Sequence, residues 1–195
     1  HGRQADGDRP VHDVLGDVVH VLPGKGVRVL GRLRPGSEVD LGHDVPGTDL
    51  GGVIAALDYL AASNRQSFGD ALPAALDAAD RHVVVIGGGD TAMDCVRTAV
   101  RQGAASVKCL YRRDRANMPG SQREVKNAEE EGVEFIWLTA PEAFEGNDRV
   151  TSVRARRMRL GTPDANGRRS PEPDPGSGFS VQADMVVKAL GFDPE

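Results

Sequence analysis

The sequence predicts an α/β protein with a parallel sheet, and three observations support this fold class. Residues 83–86 form a short apolar run of β-branched side chains, which is typical of a buried parallel strand. Glycines follow at 87–89, and the residues after them repeat small and apolar side chains at helical spacing until Gly103, which suits the end of a helix. Residues 106–111 then have the composition of a second strand. This order of strand, turn, helix and strand is that of a Rossmann-type unit.

The glycines indicate a dinucleotide site. Gly87, Gly89 and Ala92 fit the spacing G-x-G-x-x-A, in which small residues let the backbone approach a pyrophosphate and let the helix pack on the strand. The start of the helix adds unpaired N–H groups and a partial positive charge. The alternative is a glycine turn in an ordinary α/β protein, which the complete strand–turn–helix context disfavours. The predicted cofactor-binding residues of the turn are Gly87, Gly88, Gly89, Asp90, Thr91 and Ala92.

Two arginines at the end of the second strand favour NADP(H) over NAD(H). Arg112 and Arg113 stand where NAD-binding proteins place an acidic residue that accepts from the ribose 2′-hydroxyl. Guanidinium groups match a 2′-phosphate, which a carboxylate would repel. The alternative is a solvated basic loop, since exposed arginines are common. Asp114 follows the pair, and we expect it to pair with an arginine rather than with a ribose.

Several motifs in order resemble one flavoprotein family. They are VVVIGGGDTAMDC at 83–95, YRRD at 111–114, NMPG at 117–120 with Glu124 after it, and VVKALGFDP at 186–194. Together they resemble the pyridine nucleotide-disulfide oxidoreductase-like flavoproteins, and in particular the small (beta) subunit of NADPH-dependent glutamate synthase. The resemblance extends from about residue 45 to 144 and returns at 183–195.

The resemblance implies an NADPH-dependent oxidoreductase. In this family a hydride passes from NADPH to FAD, and electrons continue through iron–sulfur clusters to a large (alpha) subunit that forms glutamate from glutamine and 2-oxoglutarate. Arg112 and Arg113 would hold the 2′-phosphate, and Gly191 would lie near the nicotinamide and the flavin. No catalytic acid or base is expected, because the hydride moves directly between the cofactors.

The family also implies a division of the chain, with the NADPH domain inserted in a truncated FAD-binding domain. We expect residues 1–44 to be a divergent or poorly ordered remnant of the flavin domain, or sequence from a shifted frame. Residues 45–80 would be a helical linker, 81–182 the NADPH-binding domain with a small antiparallel β meander, and 183–195 the return strand. The flavin fingerprint and the cysteine-rich region of the family are not found in these residues. We therefore expect a fragment that binds NADPH but holds no FAD and is inactive alone.

Composition excludes several other classes of function. The chain has 24 Lys and Arg against 29 Asp and Glu, a net charge of −5 that gives no general attraction to nucleic acid or membranes. The histidines and cysteines have no metal-ligand spacing, so no metal site is predicted. Cys95 and Cys109 are expected to be buried, unpaired side chains, which agrees with a reducing cytoplasm.

Outside the central unit, the patterns predict further elements. Residues 53–61 suggest a helix, 70–80 an alanine-rich helix interrupted early by Pro73, and 121–124 a capping box that begins a helix ending at Gly132. Strands are expected at 133–138, at 150–160 and within 179–190, with a break at Pro141 and a flexible loop over 161–178.

Two other functions remain open on the sequence alone. The chain could belong to a related NADPH reductase that feeds another acceptor, such as ferredoxin or a dihydropyrimidine dehydrogenase-like domain. It could also be a non-catalytic NADPH-binding module. An upstream G-x-G-x-x-G and cysteine clusters in the full gene would favour the enzyme.

Overall fold

The computed structural model describes residues 17–21, 27–32, 45–163, 167 and 169–190. The chain divides into two compact units, residues 1–38 and 39–195. In the first unit, strands β1 (Asp17–Val21) and β2 (Val27–Arg32) pair antiparallel. Most of the predicted flavin-domain remnant, residues 1–44, lies outside the described residues.

The second unit alternates strands and helices up to Trp137, continues with three antiparallel strands and ends its described part with one more strand. In chain order its elements are β3 (Val53–Ala55), α1 (Ala56–Ser67), β4 (His82–Ile86), α2 (Asp90–Arg101), β5 (Ser106–Tyr111), α3 (Gln122–Glu130), β6 (Glu134–Trp137), β7 (Thr139–Gly146), β8 (Val150–Pro163), β9 (Arg169–Gln182) and β10 (Met185–Lys188), with short 3₁₀ helices at Ala74–Leu76 and Arg115–Asn117.

Five strands form a parallel sheet in the order β3-β10-β4-β5-β6. The centre of the sheet is apolar on both faces: Val83, Val84 and Val85 of β4 are fully buried, as is Val186 of β10. One face packs against the helices, and the other packs against the antiparallel sheet. Burial on both faces explains why these strands are continuous apolar runs rather than alternating patterns.

The predicted Rossmann-type unit is confirmed as β4, α2 and β5. Helix α2 turns its apolar side towards the sheet, and Val96 and Ala99 on that side are fully buried. The helix ends before Gly103, whose φ of +84° is a left-handed conformation that glycine adopts without a steric penalty. The predicted small β meander is also confirmed, as the antiparallel sheet β7-β8-β9.

The arginines of β8 lie on a charged sheet surface, where ion pairs occupy most of them. Arg154 pairs with Glu145, Arg156 with Glu142 and Arg159 with Glu172. Arg157 lies 4.6 Å from the ring centre of Phe179. Pairing with acidic neighbours is typical of a solvated sheet surface. Within the described ranges, no helix has the length and apolar character to span a bilayer.

Arg97 of α2 holds α3 in place through two carboxylates. Its Nη1 donates to Glu124 Oε2 at 2.7 Å, while its Nε and Nη2 donate to Glu131 Oε1 at 3.0 and 2.8 Å. The hydrogen bond from Arg97 lowers the pKa of the Glu131 carboxyl below its ordinary value. The predicted capping box is therefore wrong, since Ser121 makes no side-chain cap bond and Glu124 is committed to Arg97.

Four other element predictions are corrected. Residues 53–55 are a strand rather than the start of a helix, because they pair with β10, and Leu57 of the expected apolar face is exposed. Residues 70–80 contain only the 3₁₀ turn Ala74–Leu76. Pro141 lies within β7 at a register shift, and most of the expected loop 161–178 belongs to the β8–β9 hairpin.

The Arg97–Glu131 pair makes stability depend on pH. Glu131→Gln should lower the free energy of unfolding by about 1 kcal/mol at neutral pH, because a bidentate charged contact is lost. The folded-state pKa of Glu131 lies below its unfolded value, so its contribution is present above the unfolded value and is lost as pH falls through the folded one. Denaturant unfolding of both proteins between neutral pH and the acid side of the carboxyl range measures this difference.

Glu130→Gln is the matched control. Glu130 makes only an exposed pair with Lys126 at 3.6 Å, so its loss should cost less than about 0.5 kcal/mol. Equal effects of the two substitutions, or a Glu131 effect that persists in acid, would contradict this role of the pair.

Candidate nucleotide-binding site

The turn between β4 and α2 lies at the carboxyl edge of the parallel sheet, and its first two glycines are fixed by neighbouring atoms. Gly87 has a φ of +143°, and a Cβ there would lie 2.4 Å from the carbonyl oxygen of Ala189 after β10. A Cβ on Gly88 would lie 2.4 Å from the ring of Tyr111. Both glycines are therefore required for packing, whatever the site binds.

Gly89 differs from its two neighbours because it faces open space. It has a φ of −87°, and among the described residues no atom beyond its chain neighbours lies within 4 Å of a Cβ built on it. It is also the N-cap of α2 and has no side chain to cap the helix. Open space beside a helix start is the environment in which a phosphate group can approach the backbone.

Several backbone N–H groups of the glycine turn have no acceptor among the described residues. Within the part of the chain that the structure describes, the N–H groups of Gly88, Gly89, Asp90 and Thr91 donate to no other residue. Unpaired amide donors at a helix N-terminus carry a partial positive charge and satisfy an anion well. The turn thus has both the space and the donors that a pyrophosphate requires.

Ala92 has a packing role. It is fully buried in the cluster between helices and sheet, and its N–H donates to Gly89 O at 3.0 Å. A larger side chain would separate α2 from β4, which is the reason for a small residue in the third position of the pattern. Ala92 therefore shapes the turn from beneath instead of facing the open space.

A second segment lies against the glycine turn, and the sequence patterns did not reveal this contact. We call residues 117–121 the strap. Gly120 N donates to Gly88 O at 2.9 Å, and Ser121 N donates to Asp90 Oδ1 at 3.3 Å. Its other end is held by Tyr111, whose hydroxyl donates to Asn117 O at 3.0 Å. The donors and acceptors are mostly backbone atoms, so residue types gave little signal beyond the glycine at 120.

The arginine pair begins directly after β5, the strand next to β4. Arg112 and Arg113 are both half-buried, and the Nε of Arg113 is buried without a hydrogen-bond partner among the described residues. A buried, unsatisfied guanidinium donor is costly, and an anionic ligand would satisfy it. Asp114 Oδ1 accepts from the backbone and side chain of Asn117 at 2.9 and 2.6 Å.

The donors present fit a phosphorylated dinucleotide. The turn supplies amide donors beside an empty space, and the neighbouring strand ends in two guanidinium groups, one with an orphaned donor. Gly191, the remaining predicted site residue, lies outside the described residues. Glu124 forms an ion pair with Arg97.

The two cysteines have packing roles in this region, and the described residues offer no group of metal ligands. No cluster of three or more potential metal ligands occurs among the residues that the structure describes. Cys95 and Cys109 are fully buried and unpaired, as predicted, and burial raises the pKa of both thiols, that of Cys109 to about 12. Cys109 Sγ donates weakly to Gly87 O at 3.4 Å, so it supports the turn from below.

An open cleft of about 450 Å³ lies elsewhere, between β6 and the β8–β9 hairpin. Lys108, Glu134, Trp137, Arg157 and Phe179 are among its lining residues. None of the predicted cofactor-binding residues lines it. The candidate site is therefore the shallow surface at the glycine turn and not this cleft.

The open space at Gly89 predicts that a substitution there lowers dinucleotide affinity without lowering stability. Gly89→Ala should fold normally, because its φ is ordinary and its Cβ meets no protein atom. The added methyl should occupy the place of a phosphate and lower dinucleotide affinity at least tenfold, a loss of about 1.4 kcal/mol. Thermal unfolding and calorimetric titration with NADPH measure the two effects.

Gly87→Ala is the contrasting variant. The new Cβ would collide with Ala189 O, and the backbone of the alanine would have to keep a positive φ. The melting temperature should therefore fall clearly. Full binding by Gly89→Ala, or equal stabilities of the two variants, would contradict the assigned geometry.

Comparison with known proteins identifies relatives of this chain. The glutamate synthase [NADPH] small chain of Azospirillum brasilense is 66% identical over 154 residues, covering 77% of this chain and 32% of the relative. The NADPH-Fe(3+) oxidoreductase subunit beta of Geobacter sulfurreducens is 51% identical over 117 residues, covering 59% of this chain and 17% of the relative. The chain thus spans about a third or less of the length of these relatives. The resemblance to the glutamate synthase small chain is confirmed by the first identity.

A solved structure shares the fold. FprA from Mycobacterium tuberculosis in complex with NADPH has a TM-score of 0.62 at 20% identity, covering 76% of this chain and 47% of that chain. The profile of the family described as pyridine nucleotide-disulphide oxidoreductase matches residues 36–195. Because this match covers most of the chain, the protein belongs to the pyridine nucleotide-disulphide oxidoreductase family.

Proposed function

We propose that this chain is the NADPH-binding part of the small subunit of an NADPH-dependent glutamate synthase. One combination of features carries the proposal. The turn after β4 offers backbone amides without an acceptor among the described residues, and two half-buried arginines follow the adjacent strand β5. The 66% identity to a glutamate synthase small chain supports the choice of enzyme.

The glycine turn would bind the pyrophosphate of NADPH. The unpaired N–H groups of Gly88, Gly89 and Thr91 lie at the positive end of α2, where they would donate to phosphate oxygens. The space beside Gly89 allows the close approach that such short hydrogen bonds require. This part of the site recognises NADPH and NADH equally, because both contain the pyrophosphate.

The arginine pair would supply the preference for NADPH. Strand β5 neighbours β4 in the sheet, so its end lies beside the turn, on the side where the adenosine ribose of a bound dinucleotide would extend. Arg112 and Arg113 would hold the 2′-phosphate there, and the orphaned Nε of Arg113 would gain an acceptor. A guanidinium on a phosphate gives charged hydrogen bonds that NADH cannot form.

The redox chemistry would come from the cofactors. FAD, when bound in the complete protein, supplies the hydride acceptor, and iron–sulfur clusters carry electrons towards a large (alpha) subunit that forms glutamate from glutamine and 2-oxoglutarate. This chain would place and orient NADPH, with no acid or base among its side chains and with Gly191 near the nicotinamide. The cytoplasm is the proposed location.

The proposed division of the chain assigns the cofactor work to residues 81–182. Residues 45–80 and 183–195 would connect this part to the flavin domain, and residues 1–44 would be a remnant of that domain. Pairing of β10 with both β3 and β4 supports the idea that the two connecting segments lie side by side.

A related reductase with another acceptor is the second candidate. The similarity to a subunit named as an NADPH-Fe(3+) oxidoreductase favours it, since a shared NADPH module can serve different acceptors. A non-catalytic NADPH-binding module is the third. Steady-state assays of the complete protein with 2-oxoglutarate and glutamine, or with ferric iron, distinguish the first two, and a complete protein without flavin would favour the third.

Calorimetric titration of the chain with NADPH and NADH tests the cofactor. NADPH should bind more tightly, and Arg112→Ala/Arg113→Ala should remove that preference at a cost of about 1.5–3 kcal/mol per charged hydrogen bond. NADH affinity should change little, because NADH has no 2′-phosphate.

Arg65→Ala/Arg101→Ala is the matched control. It removes the same charge from exposed positions in the last turns of α1 and α2, so the preference for NADPH should persist. Equal affinity of the unmodified chain for both dinucleotides, or an equal effect of the two double variants, would refute the role of the arginine pair.

A further inference from the structure

The peptide unit between Gly88 and Gly89 has an unusual freedom. Neither residue has a Cβ, so rotation of this peptide plane meets little of the steric resistance that side chains provide. In a trans peptide the C=O and the following N–H point in opposite directions. The direction of Gly88 O therefore sets the direction of Gly89 N–H, and a rotated plane would turn that donor away from its ligand.

The strap fixes this plane. Gly120 N donates to Gly88 O at 2.9 Å, which directs the Gly88 carbonyl towards the strap and the Gly89 N–H away from it. Rotation of the peptide would break the hydrogen bond. Gly120 must itself lack a side chain, because a Cβ on it would lie 2.9 Å from Gly88 O.

Asp90 holds the strap from the other side of Gly89. Its Oδ1 accepts from Ser121 N at 3.3 Å, next to the Gly120 hydrogen bond. As a phosphate ligand Asp90 would be poorly suited, since an exposed carboxylate and a phosphate repel each other at the same helix end. Asp90 does accept a hydrogen bond from the strap, and this contact needs only a side-chain oxygen, not a negative charge.

We propose that Gly120 and Asp90 are positioning residues that lock the Gly88–Gly89 peptide with the Gly89 N–H presented to the cofactor pyrophosphate. This rests on the proposed NADPH binding and changes the role of Asp90 from a cofactor ligand to a residue that acts through the strap. It also links the two halves of the site, because the strap continues from the arginine pair and is anchored to Tyr111 Oη.

The test compares three ligands on four proteins. Calorimetry of the unmodified chain, Gly120→Ala, Asp90→Ala and Asp90→Asn uses NADPH, NADH and 2′-AMP, which has the 2′-phosphate but no pyrophosphate. Gly120→Ala and Asp90→Ala should each weaken both dinucleotides by the same factor, about threefold to tenfold, because each disturbs one hydrogen bond between the strap and the turn. Binding of 2′-AMP should not change.

Asp90→Asn separates positioning from a role of the charge. The amide keeps an oxygen that can accept from Ser121 N and removes the repulsion of phosphate, so this variant should bind NADPH at least as tightly as the unmodified chain. Its rescue relative to Asp90→Ala is a result that a general loss of folding cannot produce. Should Gly120→Ala fail to fold, judged by circular dichroism, the two Asp90 variants alone decide.

Two controls match the substitutions. Asp58→Ala removes an acidic residue from the first turn of α1, and Gly178→Ala adds a Cβ that meets its nearest atom at an ordinary 3.6 Å. Neither should alter binding.

The outcomes are distinct. If the unmodified chain binds neither dinucleotide, the proposed function fails and this inference fails with it. If it binds NADPH, but Asp90→Ala binds equally well or Asp90→Asn is as weak as Asp90→Ala, the positioning role is refuted and the proposed function stands.

Discussion

The pairing of β10 with β4 is the constraint on which the rest of the structure depends. These strands are about 100 residues apart in sequence, yet Val83 to Ile86 align in parallel with Met185 to Lys188 at the centre of the sheet. The end of β10 also carries the chain to Ala189, whose carbonyl lies against Gly87. The glycine turn therefore takes its shape from a strand that is synthesised after it, and the meander between them must fold compactly for the sheet to close.

One side of the turn is closely packed, and the other side is open. From below, Ala92 and Cys109 fill space in the core, and from the side Ala189 O and the Tyr111 ring leave no room for a Cβ at Gly87 and Gly88. On the opposite side, a Cβ on Gly89 would meet no described residue other than its chain neighbours. A rigid, closely packed support under an open surface with unpaired amides is an efficient way to hold a flexible backbone segment ready for a phosphate, because little ordering remains to be done on binding.

Sequence reasoning succeeded where local and long-range preferences agree. Strand β5 has the predicted bounds, and α2 begins directly after the predicted turn, since the apolar run, the glycines and the helical period all indicate the same elements. It failed where a partner distant in sequence determines the local structure. Residues 53–55 continue a helical period but are drawn into the sheet by β10, and Glu124 fits a capping box but finds Arg97 at 2.7 Å. The strap was missed because its hydrogen bonds use backbone donors, which every residue except proline offers.

The aromatic contacts around Tyr111 have an optical consequence. Trp137 is the single tryptophan of the chain, and its ring meets that of Tyr111 edge-on with centroids 6.4 Å apart, while Tyr111 covers Gly88. Only the Tyr111 side chain thus separates the fluorescent indole of Trp137 from the turn. Reduced nicotinamide absorbs in the near ultraviolet, where tryptophan emits, so the protein contains its own energy donor for following the arrival of a dinucleotide without any label.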